Sequence, residues 1–183
     1  MQGIEVQEII LGCQEDKPIF QKKLYEQYYN SFLKICMRYT KNDQDAEHIL
    51  HDSFLKIFKS IKEYEGKGSF DGWMKRIVVN CNLDFLRSKS AKDQSNVYMP
   101  EDITVLHFTT KEANALDKLS CKELMKLVQQ LPQTTQTVFN LFVFDGYSHK
   151  EIAQHMNMSE GTSQWHVNNA RKVLQQKIKN LYP

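Results

Sequence analysis

The sequence predicts an all-α protein: two small helical domains joined by a flexible linker. Three observations predict this class. Apolar residues recur at spacings of three and four along both ends of the chain, and no long alternating strand pattern interrupts them. Glycine and proline are scarce, 7 and 4 in 183 residues, which suits helices with few tight turns. A polar, poorly periodic stretch with one proline, Arg87 to Lys118, separates the two periodic ends. The expected division is a first domain over 1–90, a linker over 91–118 and a second domain over 119–183.

The first element runs from Ile19 to Tyr39, where Phe20, Leu24, Tyr28, Phe32, Ile35 and Tyr39 keep one apolar face. Asn42-Asp43 breaks it, with Asp43 expected to cap the next helix. That helix carries a wide stripe of Ala46, Ile49, Leu50, Phe54, Ile57, Phe58 and Ile61. Two glycines and a serine make a loop of Glu63 to Ser69. A third helix follows, with Phe70, Met74, Ile77, Cys81 and Phe85 on its buried side.

After the linker, periodicity resumes at Leu119, Leu124, Leu127, Val128 and Leu131. Pro132-Gln133 opens a helix expected over Thr135 to Phe144, and Asp145-Gly146 closes it. Two short helical runs then flank a break at Met156-Asn157-Met158. Ser148 with Glu151 reads as a capping box, and Ser159 as the cap of the last helix.

Composition narrows the function. The formal net charge of +2 is too small to argue for nucleic acid without local clustering. No run approaches the roughly eighteen apolar residues of a membrane span, and the N-terminus lacks a basic leader region, so the cytoplasm is the default expectation. Cys13, Cys36, Cys81 and Cys121 lie far apart, without the pairing of a disulfide framework or a thiolate zinc site. His48 and His51 stand at i, i+3 with only Glu47 and Asp52 as companions and no cysteine or third histidine near them in sequence, so no metal and no cofactor are expected. No Gly-rich phosphate loop, no Ser/His/Asp set and no HExxH motif is present, so neither an enzyme nor a small-molecule substrate is expected.

The last helix carries the chemistry. Val167, Ala170, Leu174 and Ile178 share one face. The opposite face bears Gly161, Thr162, Trp165, Asn168, Asn169 and Lys172, with Gln164 and Arg171 at its flanks. Amides pair with adenine edges, Arg and Lys meet phosphate or guanine, and an apolar ring contacts a thymine methyl. Preceded by a short capped helix, this is the pattern of a DNA-reading helix-turn-helix. The plain alternative is a solvated surface helix, which fits an exposed tryptophan poorly. On the Ala46–Ile61 helix, Asp45, His48, His51, Asp52 and Lys56 form a mixed polar face beside the apolar stripe, suited to another protein's helices. On the Phe70–Phe85 helix, Trp73, Arg76, Asn80, Asp84 and Arg87 form a second polar stripe, able to meet phosphate and unpaired bases.

The segment from Gly146 to Leu174, GYSHKEIA…SEGTS…ARKVL, resembles region 4 of bacterial sigma factors of the extracytoplasmic-function type. Tyr25 to Phe58 and Gly68 to Arg87 resemble region 2 of the same family. The resemblance covers about Leu24 to Ser90 and Cys121 to Lys179.

It implies an alternative sigma factor that binds RNA polymerase core, recognises the −35 and −10 promoter elements and directs initiation. The implied polymerase contacts are Asp45, His48, His51, Asp52 and Lys56. Lys67, Gly68, Ser69, Trp73, Arg76, Asn80 and Arg87 would hold the melted near element, the loop taking a base flipped from the non-template strand. Ser159, Thr162, Gln164, Trp165, Asn168, Asn169, Arg171 and Lys172 would meet the distant element as duplex. An anti-sigma factor is the further implied partner. The competing reading is a helix-turn-helix regulator that does not join the polymerase.

Overall fold

The computed structural model describes residues 3–92 and 121–181. All regular elements among them are helical. The chain divides into two compact units, Met1–Asn96 and Val97–Pro183. The linker expected over 91–118 falls almost wholly outside the described residues.

The first unit holds α1 (Gly3–Gln14), α2 (Pro18–Tyr39), α3 (Asp43–Ser60), a 3-10 turn (Ile61–Glu63) and α4 (Phe70–Lys92). Helices α2, α3 and α4 pack on one another, and α1 packs on α2 and the 3-10 turn. α2 starts with Pro18 in its first turn, where the missing N–H costs nothing. α3 is capped by Asn42, whose side chain accepts from the Asp45 N–H at 2.8 Å. Asp43, the expected cap, instead lies in the first turn, where its charge complements the helix dipole.

Leu24, Phe32, Ile49, Leu50, Phe54, Ile57, Met74 and Val78 form the centre of the core. Each fully buried side chain of this size contributes about 1.5–3 kcal/mol by leaving water. The sequence analysis had no element for α1, yet Ile9 and Cys13 are buried in the same core. Gly12 makes that approach possible, because a Cβ there would lie 2.2 Å from the Phe20 ring. Cys13, Cys36 and Cys81 are buried free thiols, and burial pushes Cys13 and Cys36 up to about 11.

The second unit holds α5 (Cys121–Gln129), α6 (Gln133–Phe139), a π-helical extension (Asn140–Phe144), α7 (His149–Met156) and α8 (Glu160–Leu181). The helix expected over Thr135 to Phe144 thus begins two residues earlier and widens halfway along. In that wide turn the Asp145 N–H reaches the Asn140 carbonyl at 3.1 Å, and Tyr147 N–H reaches the Leu141 carbonyl at 2.9 Å. Leu127, Val128, Leu131, Phe139, Ala170, Leu174 and Ile178 form the core between α5, α6 and α8. Leu141, Ile152 and Val167 are also buried.

Candidate nucleic-acid interface

The helix-turn-helix is α7 and α8. Ser148 and Glu151 form a complete capping box at the start of α7. Asn157 ends that helix in the left-handed conformation, with φ 51°, a place where an amide side chain is among the few that tolerate it. Ser159 Oγ then accepts from the Thr162 N–H at 3.0 Å and lies 2.8 Å from Thr162 Oγ1. Ser159 thus caps α8, and the Thr162 hydroxyl bonds back to it.

Two histidines tie α8 to its neighbours, one to α7 and one to α6. His149 Nδ1 shares a 3.0 Å hydrogen bond with Ser163 Oγ, tying α7 to α8, and its ring stacks on Phe142 at 4.3 Å. His166 Nδ1 shares a 3.0 Å bond with Thr135 Oγ1, tying α8 to α6. Burial lowers the pKa of both; for His149, Glu160 opposes the shift and Arg171 adds to it. His149 opens α7 and His166 lies off the apolar stripe of α8, so neither adds to a periodic signal.

Ser163, Val167, Ala170, Leu174 and Ile178 are buried along α8. Gln164, Asn168 and Arg171 are exposed, whereas Thr162, Trp165, Asn169 and Lys172 are half-buried. The sequence analysis centred the outward face on Trp165 and put Gln164 and Arg171 at its flanks. The crest instead runs through Gln164, Asn168 and Arg171. The indole of Trp165 meets the His166 ring edge-on at 4.9 Å, so part of its surface is packed.

In the first unit, the loop before α4 is closed at several points. Gly66 and Gly68 have φ of 74° and 85°, values that other residues adopt only at a cost. Tyr64 donates its hydroxyl to the Gly68 carbonyl at 3.0 Å. Lys67 pairs with Glu65. Ser69 Oγ accepts from the Gly72 N–H at 3.3 Å, and the Ser69 carbonyl accepts from Trp73 N–H at 2.9 Å, opening α4.

Trp73 is half-buried, 5.1 Å from the Tyr64 ring and 5.7 Å from Phe70, so much of the indole goes to packing. Arg76 and Asn80 are exposed one and two turns further on. Arg87 is held to Asp84 at 3.0 Å. Tyr28 donates to Asp71 near the start of α4, and burial together with this bond raises its pKa.

The polar face of α3 is more engaged than its sequence suggests. Asp45 accepts from Lys89 and from Asn42, each at 3.0 Å, and the Lys89 bond leads the causes that lower its pKa. Lys56 bonds Asp84 at 3.1 Å. These two pairs cross from α3 to α4. His48 lies 3.6 Å from Asp52, and His51 shares a 3.1 Å bond with the Tyr25 hydroxyl.

The two histidines thus turn to different neighbours. Among the described residues no group of three metal-ligating side chains occurs. His48, Asp52 and Lys56 line a groove between α3 and α4 together with Leu55, Asp84 and Phe85; Asp45 and His51 lie outside it. Leu55 is 60% exposed there. The sequence analysis missed it because it falls off the apolar stripe of α3.

Residues 24–92 match the family model for Sigma-70 region 2, and residues 121–174 match that for Sigma-70, region 4. The chain is 25% identical over 175 residues to the ECF RNA polymerase sigma-E factor of Haemophilus influenzae, covering 92% of each protein. It is 24% identical to the ECF RNA polymerase sigma factor SigW of Bacillus subtilis, covering 84% of this chain and 86% of that one.

Among solved structures it is similar in fold to the sigma factor RpoE of Bartonella quintana, solved with the anti-sigma factor NepR. The TM-score is 0.54 at 16% identity, over 88% of this chain and 98% of the other. Among the described residues no helix is long and apolar enough to cross a membrane. With two regions of one family matched in order along most of its length, the chain belongs to the sigma-70 family, as an extracytoplasmic-function sigma factor.

Proposed function

We infer that the protein joins RNA polymerase core, selects promoters by two separated elements and directs initiation at them. One observation carries this reading: a capped helix-turn-helix and a bundle with a shaped, exposed loop occur on the same chain. A regulator that only binds duplex DNA has no use for the second.

The first unit docks on the polymerase through the α3–α4 groove, where Leu55 offers apolar contact beside the polar side chains of His48, Asp52 and Lys56. The loop at Lys67, Gly68 and Ser69 takes a base of the melted near element, and Arg76, Asn80 and Arg87 follow the strand along α4. Trp73 supports the loop from beneath. A base already unpaired in the open complex costs little to extrude.

The second unit lays α8 in the major groove of the distant element. Gln164, Asn168 and Arg171 lead, and Thr162, Trp165, Asn169 and Lys172 stand at the edge. Ser159 and the N-terminus of α8 favour a phosphate. The polymerase performs the nucleotide chemistry, and this chain contributes binding and selection only. An anti-sigma protein covering the same faces is the regulatory partner this reading expects.

The test is transcription by sigma-free core polymerase on a promoter library, with and without the purified chain. Defined start sites that appear only with the chain support the reading. Duplex binding without any start-site choice overturns it in favour of a conventional regulator.

A further inference from the structure

We propose that Gln14 and Tyr64 are positioning residues for the strand-trapping loop, with Tyr64 holding its far side and Gln14, from α1, holding its near side. The proposal rests on the reading that this loop receives the flipped base, and names what keeps the pocket in shape.

Three observations converge on it. First, the loop is not wedged by its surroundings, because nothing lies within 4 Å of the position a Cβ would take at Gly66 or Gly68. Its course depends on glycine dihedrals, which are soft, and on whatever bonds tie it down. Second, the Tyr64 hydroxyl supplies such a bond to the Gly68 carbonyl at 3.0 Å. The Tyr64 ring is separately fixed, 5.1 Å from both Phe70 and Trp73. Phenylalanine would satisfy that packing, so the hydroxyl serves the loop.

Third, Gln14 Nε2 donates to the Ile61 carbonyl at 3.0 Å and to the Tyr64 carbonyl at 3.4 Å. The backbone on which Tyr64 stands is therefore held from α1, a helix that lies outside the segment matching region 2. Together the two side chains form a chain of contacts from α1 through Tyr64 to Gly68. A pocket that must discriminate one base needs its walls fixed to a fraction of an ångström.

The experiment uses the full chain bound to core polymerase and a pool of single-stranded DNA randomised across the near element. Retained strands are sequenced to give the base preference at every position. For the wild type, one position should stand out as the flipped base.

With Tyr64→Phe, preference at that position should fall about five-fold, the size of one ordinary hydrogen bond, while neighbouring positions keep theirs. Gln14→Met should act at the same position in the same direction, by less. Loosening of the unit in general would lower retention of all strands alike and single out no position. Unchanged preference in either variant overturns the role given to that residue. A wild-type profile with no position standing out overturns the loop's assignment itself, and this proposal with it.

Discussion

The two units solve the same problem, holding a few helices together, in different ways. The first is closed by apolar and aromatic side chains, with Tyr25, Tyr28, Phe32, Phe54 and Phe58 in a continuous series of ring contacts. It too buries polar residues, Arg38, Thr40, Ser53 and Asn82, but its ion pairs between helices, Lys56–Asp84 and Lys89–Asp45, lie on the surface. The second unit buries Thr135, Gln136, Thr137, Asn140 and Ser163 along with its apolar residues, and its helices are tied by histidine–hydroxyl bonds. A bundle closed by aromatics can vary its exterior for docking and strand capture. One tied by part-buried polar bonds holds a defined angle between α7 and α8, but loses stability when any partner changes.

The contrast can be broken most forcefully at the first core. Leu50→Ala, at a fully buried site, should cost the first unit about 2–5 kcal/mol. Hydrogen exchange on the whole chain should show the loss in α2–α4 and leave α6–α8 protected as before. Next in size, Asn168→Ala on the crest of α8 should cost about 1–3 kcal/mol at a single base pair of the distant element. Competition binding to single-base variants of a selected duplex checks this, and an even loss across all variants would place Asn168 on phosphate instead.

Acid should distinguish the units directly. His149 and His166 have folded pKa values lowered below the ordinary 6.5, so the unfolded chain takes up protons first as pH falls. Their contribution to the second unit's stability is therefore full above about 6.5 and declines below it. Asp45 in the first unit, lowered from 3.8, loses its contribution only in much stronger acid. Exchange protection measured from neutral to mildly acidic pH should fall in α6–α8 first, and His166→Gln should reduce that difference. The smallest effect belongs to the surface: Lys89→Met removes the pair with Asp45 and should change unfolding in urea by about 0–1 kcal/mol.

Much of this architecture was legible beforehand because it rests on periodicity. The stripes of α2, α3, α4 and α8, the capping box at Ser148 and the cap at Ser159 all follow from local spacing. Helix α1 was overlooked although Val6, Ile9, Ile10 and Cys13 repeat at three and four, since its mixed apolar composition has no start signal. The widened turn at Asn140–Phe144 leaves no trace in apolar spacing, since it shifts the hydrogen bonds by one residue without changing which residue types occur.

The candidate site shows the same limit. Residue types pointed to α8 and to the loop, but the crest of α8 depends on which side chains α6 and α7 cover. The sequence placed Trp165 outward and did not signal that His166 packs against its indole. On α3, the polar face was read from spacing alone, and the cross-links of Asp45 and Lys56 to α4 needed three-dimensional proximity to appear.

The π-helical turn has a consequence for how this domain tolerates insertion and deletion. Each residue of a helix advances its side chain by about 100°, so the one extra residue accommodated at Asn140–Phe144 sets which way the last side chains of that turn face and where the chain leaves it for α7. Shortening that turn by one residue would leave hydrophobic content nearly untouched. It would rotate Phe142 away from the His149 ring at the start of α7, on which it stacks at 4.3 Å. Length variation here should therefore be forbidden where it is tolerated in ordinary loops.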